Sequence, residues 1–338
     1  MKWRMKYRCW LAFLLVVAVF QTELKAQDPQ FSQFYANSLF LNPAFAGNTE
    51  VGRMALTYRN QWPSIPGGFI SYTAAYDHNL YSANSGIGVM LAYDKAGSGG
   101  LRYTSINGMY AYGARLTRML TLRSGVRFAG VFRGFDRSKL VFADQIARDG
   151  APITLESDLQ DNVNYADVSA GWVLTHRKHF WIGMAFDHLN RPDQAFAEAD
   201  ARLPIKYSVH GGLNWQLSED QRDRPGAKLT FIGHYKAQQD WDQLDFGAYW
   251  TYDPLSIGIW YRGLPAVKSF RAGLPNNDAF VVLVGYAFND FRFGYSYDLT
   301  ISKLVGQTGG AHEISLSYEL PAPRKKRRSK ILIPCAKF

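Results

Sequence analysis

The sequence predicts an all-β chain forming a single transmembrane outer-membrane β-barrel of about fourteen antiparallel strands. Three observations predict it. Apolar residues alternate with small or polar ones in repeated windows of about ten residues, the length of a tilted membrane-crossing strand. The links between windows are unequal, with tight turns on one side and long loops on the other. Aromatic residues make up 15% of the 338 residues and charged ones only 20%, too apolar for the outward face of the competing fold, a soluble secreted β-sandwich.

Taken from the N-terminus, residues 1–26 carry Lys2, Arg4, Lys6 and Arg8, then an unbroken apolar run from Trp10 to Phe20, and end at Ala26. That is the order of a secretory signal peptide, and the run is too short to cross ~30 Å of hydrocarbon. Residues 27–50 precede the first strand and hold Phe31, Phe34, Tyr35, Leu39, Phe40, Leu41 and Phe45. Left in water they would form a large apolar patch. The segment therefore either folds into the barrel mouth as a plug or docks on a periplasmic partner. Pro43 ends it, and Gly47 permits the turn into the first strand.

Residues 51–320 supply the barrel. The windows fall at 51–60, 68–77, 85–94, 101–115, 120–133, 165–175, 179–188, 206–215, 227–236, 242–252, 255–263, 280–288, 291–298 and 310–320. In GIGVMLAY, Ile87, Val89, Leu91 and Tyr93 share one side, with Gly86, Gly88, Met90 and Ala92 on the other. An even number of strands lets the sheet close, which matters because an open edge in lipid leaves backbone groups unpaired at several kcal/mol each. It also puts both termini on one side. The longest link, 134–164, lies on the far side with 189–205, whereas Asp253-Pro254 and Asn289-Asp290 are near-side turns. Tyr58, Tyr72, Tyr76, Tyr93, Trp172, Trp215, Trp250 and Trp260 are expected in the aromatic girdles. Arg53, Arg59, Arg127, Lys206, Lys228 and Asp245 are expected to point inward, lining a channel or pairing to seal it.

Residues 321–338 form a basic tail, with seven Lys and Arg and no acid. The formal charge of +10 belongs to the two ends, for residues 27–320 carry a net of −1. A nucleic-acid surface loses its support, since such a surface needs the charge on the folded body. Arg324, Lys325, Lys326, Arg327 and Arg328 leave three alternatives open: a solvated arm, a contact with anionic lipid, or a handle for an acidic partner. Of two cysteines, Cys9 lies in the leader and Cys335 in the tail, so the mature chain has no pair to bridge.

No catalytic constellation emerges. His312 and Glu313 are neighbours in a strand and face opposite ways. His176 and His179 flank a tight turn, and His188, His210 and His234 lack ligand spacing. Asp144, Asp149, Glu156, Asp158, Asp161 and Asp167 lack the regular spacing of a calcium loop. Ser32 has no nucleophile-elbow context. The chain is read as a non-enzyme without cofactor or metal.

The stretch QDPQFSQFYANSLFLNPAFAGN, at 27–48, resembles the PorP/SprF family of outer-membrane proteins associated with the type IX secretion system of gliding and related bacteria. The matching residues are Gln30, Phe31, Ser32, Gln33, Tyr35, Asn42, Pro43, Ala44 and Gly47. HEISLSY at 312–318 is similar to the family's closing strand. The tail keeps Cys335 and Phe338 of the family's Cys-Pro-x-Phe ending, with Ala336 in place of the proline. The resemblance implies a barrel in the outer membrane with both termini periplasmic, assisting export or surface anchoring of a large adhesin-type cargo and contacting periplasmic, cell-wall-linked components. From the barrel alone, a passive porin or solute channel is the alternative.

Overall fold

The computed structural model describes residues 28–149, 154, 159–177, 179–197, 200–219, 226–264, 276–302, 305–321 and 333–334. The chain divides into two compact units, Met1–Gln30 and Phe31–Phe338. Of the first unit only 28–30 are described, without regular secondary structure. The expected leader at 1–26 lies outside the described residues.

The second unit is a closed antiparallel barrel of fourteen strands. They are β1 Gly52–Gln61, β2 Phe69–Leu80, β3 Ser85–Ala96, β4 Leu101–Arg115, β5 Leu120–Gly134, β6 Asn162–His176 and β7 Phe180–Asp187. The circuit continues with β8 Lys206–Gln216, β9 Lys228–Gln238, β10 Trp241–Tyr252, β11 Leu255–Leu264, β12 Asn276–Phe288, β13 Phe291–Thr300 and β14 Ala311–Glu319. Each strand pairs with its sequence neighbours, and β1 closes the ring on β14 with Arg59 opposite Glu313. Closure gives every strand a hydrogen-bonded neighbour on both sides, which removes the open sheet edge that lipid would penalise.

Alternation decides which face each residue takes. On β3, Ile87, Val89 and Leu91 are exposed, while Gly86, Gly88, Met90 and Ala92 are buried. On β13, Phe291, Phe293 and Tyr295 face out, and Gly294, Ser296, Asp298 and Thr300 face in. The outer face is thus apolar and lipid-facing, with Phe128 62% exposed near the middle of β5. Among the described residues no helix is long and apolar enough to cross a membrane; the crossing is made by strands.

The structure corrects the expected elements at several positions, of which three bear on the barrel's interior or far side. β12 begins at Asn276 rather than 280, because Leu264 and Gly263 continue the ladder with Asn276 and Asn277 beyond a register shift at Arg262. β6 begins at Asn162 rather than 165, since β5 continues to Gly134 and pairs with it. Trp260 is not in a lipid-facing girdle. Ile257 and Ile259 take the outer face of β11, so Trp260 turns inward and is 1% exposed. Its opposite residue is Gly247, where a Cβ would lie 2.1 Å from that of Trp260. The missing side chain is what admits the indole.

Two far-side links carry structure of their own. The link after β5 holds a 3-10 turn at Arg137–Lys139 and a helix, α1, at Ala143–Ala147. The edge of Phe196, in the link after β7, meets Phe135 at 5.1 Å between ring centroids, and Gln160 donates its N–H to the Phe196 carbonyl at 2.7 Å. These two links therefore pack on each other.

Candidate functional site

The site is the interior of the barrel, and what fills it is the segment from Phe31 to Thr49. In this inner segment a short helical turn at Ser38–Leu41 leads into a 3-10 turn at Pro43–Phe45. Asn42 joins the two. Its side chain accepts the Ala44 N–H at 2.9 Å, and proline takes the first position of the next turn, where a missing donor costs nothing. Phe34, Tyr35, Leu39, Leu41, Ala44, Phe45 and Ala46 are buried with Met90, Met109, Val173, Trp181, Tyr249 and Trp260 of the wall in one apolar cluster.

An ionic anchor holds the segment's start. Glu313 of β14 accepts the backbone N–H groups of Ser32 at 2.7 Å and Gln33 at 2.9 Å, one on each carboxylate oxygen. The Ser32 hydroxyl donates to Asp298 at 2.6 Å and accepts from Arg59 at 2.8 Å and Arg262 at 2.7 Å. Arg59 also reaches Asp298 and Glu313, and Arg262 bridges Asp245 and Asp298, all within 3.0 Å. Carboxylates outnumber guanidiniums in this cluster, so the donors of Ser32 and Gln33 complete it. Gln33 adds bonds to Ser296, Ser315 and the Glu313 carbonyl. Buried charges are tolerated only when paired and hydrogen-bonded as these are.

The rest of the segment is held by bonds from its backbone and polar side chains to wall side chains and carbonyls. Asn42 donates to the carbonyls of Trp172 at 3.2 Å and Met184 at 3.1 Å, with His210 at 3.1 Å. Arg123 donates to the Ala44 and Ala46 carbonyls at 3.1 and 2.6 Å. Asp77 accepts the Gly47 N–H at 3.0 Å and pairs with Arg53, which also donates to the Ser38 hydroxyl. Trp181 donates to the Tyr35 hydroxyl at 2.9 Å. Wall glycines let the backbones approach: a Cβ on Gly125 would stand 2.5 Å from the Pro43 carbonyl carbon, and one on Gly86 2.2 Å from the Ala46 oxygen.

The motif residues Phe31, Ser32, Gln33, Tyr35, Asn42, Pro43 and Ala44 are therefore all buried inside the barrel, and Gly47 makes the turn at φ 71°. Gln30 belongs to the other unit. Arg324, Lys325, Lys326, Arg327, Arg328, Cys335 and Phe338 lie outside the described residues. Sequence reasoning placed Arg53, Arg59, Arg127 and Asp245 on the inner face, and they are buried there. It missed Arg262, Asp298, Glu313, Arg123 and Asp77, whose signal was a charge at an inward position of an otherwise apolar strand. Glu313 is buried, while His312 turns out to bond the Tyr295 hydroxyl at 2.9 Å.

A cleft of about 40 Å³ remains between Phe31, Phe34, Asn37 and Phe40 of the segment and Asp187, Lys206, Ser208 and His234 of the wall. Among the described residues no group of three or more His, Cys, Asp or Glu could hold a metal ion. In the far-side link, Asp144 pairs with Arg148 and Asp161 with Arg137 instead of converging. The Ser138 hydroxyl and Lys139 hold the Asp136 carboxyl there below the usual carboxylate range.

A family described as type IX secretion system membrane protein PorP/SprF matches residues 23–318. No curated protein matches the sequence. Among solved structures, the chain is similar to the Acinetobacter baumannii outer membrane protein Omp33, with 8% identity, a TM-score of 0.45, and 81% of this chain and 100% of that one covered. It is also similar to the Ralstonia pickettii toluene transporter TbuX, at 11% identity and TM-score 0.48, covering 83% and 92%. The P. putida toluene transporter TodX gives 11% and 0.45, covering 83% and 93%.

Proposed function

The chain belongs to the PorP/SprF family of type IX secretion system membrane proteins, and from that premise we propose how a filled barrel serves secretion. It is an outer-membrane component of the system and acts as a membrane part, not as a catalyst. In our reading the inner segment plugs the lumen, and the protein works through its two ends. Its far side assists export or surface anchoring of a large adhesin-type cargo. Its near side, with both termini in the periplasm, contacts secretion-system or cell-wall-linked components.

The observation that carries this reading is the occupied interior. A passive channel needs a water-filled path, whereas here the segment bearing the family's motif residues is bonded to carboxylates and guanidiniums of β1, β11, β13 and β14. Support for a cargo-facing role comes from the two packed far-side links, which leave Val141 and Ile146 71% and 69% exposed beside the polar loop. Apolar side chains presented on an ordered surface suit a protein partner.

The test combines two measurements. Purified protein in planar bilayers should show no stable open-channel steps, and large ones without any partner would favour the porin. Cells carrying the Val141→Asp/Ile146→Asp double variant should assemble the barrel normally yet lose surface display of one adhesin-type cargo. Normal display of every cargo would reject the far-side role.

A further inference from the structure

We propose that the near-side mouth contains a receptor for a short apolar peptide, filled by the chain's own Ile333 and Pro334, and that this contact straps the inner segment to the wall. Ile333 is 2% exposed and belongs to the same apolar cluster as Phe45 and Trp181. Its N–H donates to Asn48 Oδ1 at 2.8 Å, and Asn48 Nδ2 reaches back to the Ile333 carbonyl at 3.5 Å. Asn214 Nδ2 donates to the Pro334 carbonyl at 3.0 Å.

Both asparagines are set in place by other bonds. Asn48 follows the 3-10 turn and donates its own N–H to the Phe45 carbonyl at 2.9 Å. Asn214 Oδ1 accepts the Thr230 hydroxyl at 2.8 Å, which turns its amide nitrogen toward the peptide. One asparagine ends the inner segment and the other sits on β8, so a peptide bound to both ties segment to wall. The amides address backbone groups only, as a neighbouring strand would. Selectivity therefore rests on the buried aliphatic side chain and on the residue after it. Proline has no N–H to satisfy there, and an aliphatic-Pro pair is the ligand chemistry that fits. A partner that captures the tail would remove the strap without touching the ionic anchor at Ser32.

The experiment uses protein truncated after Pro321 and a synthetic peptide of residues 329–338 with Cys335→Ser. Binding should be saturable and should slow hydrogen exchange in residues 42–49. Asn48→Ala and Asn214→Ala should each weaken it about tenfold, and Ile333→Asp in the peptide should abolish it. Full-length protein, with the slot filled, should bind at least about tenfold more weakly. Equal binding by the full-length chain, indifference to both asparagine substitutions, or no binding by a folded truncated barrel would each overturn the proposal. Should the truncated chain not assemble, full-length Ile333→Asp must by itself speed exchange at 42–49, and unchanged exchange there is equally fatal.

Discussion

Replacing Glu313 with glutamine isolates what the ionic anchor contributes. The native carboxylate is fully buried and accepts Ser32 N–H, Gln33 N–H and the Arg59 guanidinium at 2.7, 2.9 and 3.0 Å. Glutamine keeps the volume and one acceptor oxygen but turns an NH2 toward a donor. One buried N–H then lacks an acceptor, at about 1–3 kcal/mol. With the amide oxygen in the Oε2 position the Ser32 and Arg59 bonds survive, weakened as the acceptor loses its charge, about 1 kcal/mol more. The loss stops there, because Arg59 and Arg262 still face Asp245 and Asp298 and no cation is stranded. The expected cost is about 3 kcal/mol, or about 100-fold in an opening equilibrium. Backbone ladders hold the wall, so the cost should fall on the inner segment. In hydrogen-exchange mass spectrometry of the purified barrel, residues 31–41 should exchange about 100-fold faster, with the strands and the heat-dependent gel shift unchanged. Unaltered exchange at 31–41 would refute the reasoning, and uniform acceleration would mean the pair holds the wall instead.

Arg262→Met removes one of the two guanidiniums that face Asp298 and leaves Asp245 without its guanidinium. It should cost about 3–5 kcal/mol, read as a lower temperature of conversion on unheated gels, and adding Asp245→Asn should recover part of it. Gly125→Ala forces a Cβ to 2.5 Å from the Pro43 backbone, whereas Gly108 has nothing within 4 Å. The first should speed exchange at residues 42–47 and the second should leave it alone; identical behaviour would count against close approach at this site. Phe128→Arg places a charge on the outer face near the middle of β5. Folding titrations in bilayers should show a loss of about 2–4 kcal/mol if that residue sits at the midplane, and no loss would remove this face from hydrocarbon.

The strands were legible because a lipid-facing strand is patterned within itself. Ile87, Val89 and Leu91 declare their face without reference to any other part of the chain. Trp260 is equally legible by parity with Ile257 and Ile259, since a residue an odd number of positions from two outward isoleucines faces in whatever its size. Which groups meet inside the lumen was not legible. Ser32 meets Glu313, Asp298 and Arg262 across sequence separations of 281, 266 and 230 residues, and no local window holds both halves of such a contact. Composition showed only that Phe31 to Phe45 needed cover. It did not show that Glu313 was the acceptor, since a lone inward carboxylate on a closing strand looks the same whether it meets water, a cation or a backbone.

The location of the anchor also imposes an order on folding. Arg59 and Glu313 are cross-strand partners in the pair that closes the ring, and Asp298 lies on the strand beside it. Until β1 meets β14, Arg59 and Glu313 are far apart, so the anchor for Ser32 and Gln33 is incomplete, although the later part of the segment can already meet Arg123 and the β6 and β7 carbonyls. The entropy of bringing the chain's ends together is then borne by ring closure and its backbone ladder, a loop cost that grows only slowly with length. Seating Ser32 and Gln33 in the completed anchor is then a short-range step across a closed mouth. Closure, in turn, assembles buried charges whose last donors are the Ser32 and Gln33 N–H groups. An empty ring would hold a half-satisfied network, which is costly in a low dielectric. The wall makes the site for the segment, and the segment completes the wall's electrostatics, so the two behave as one cooperative unit.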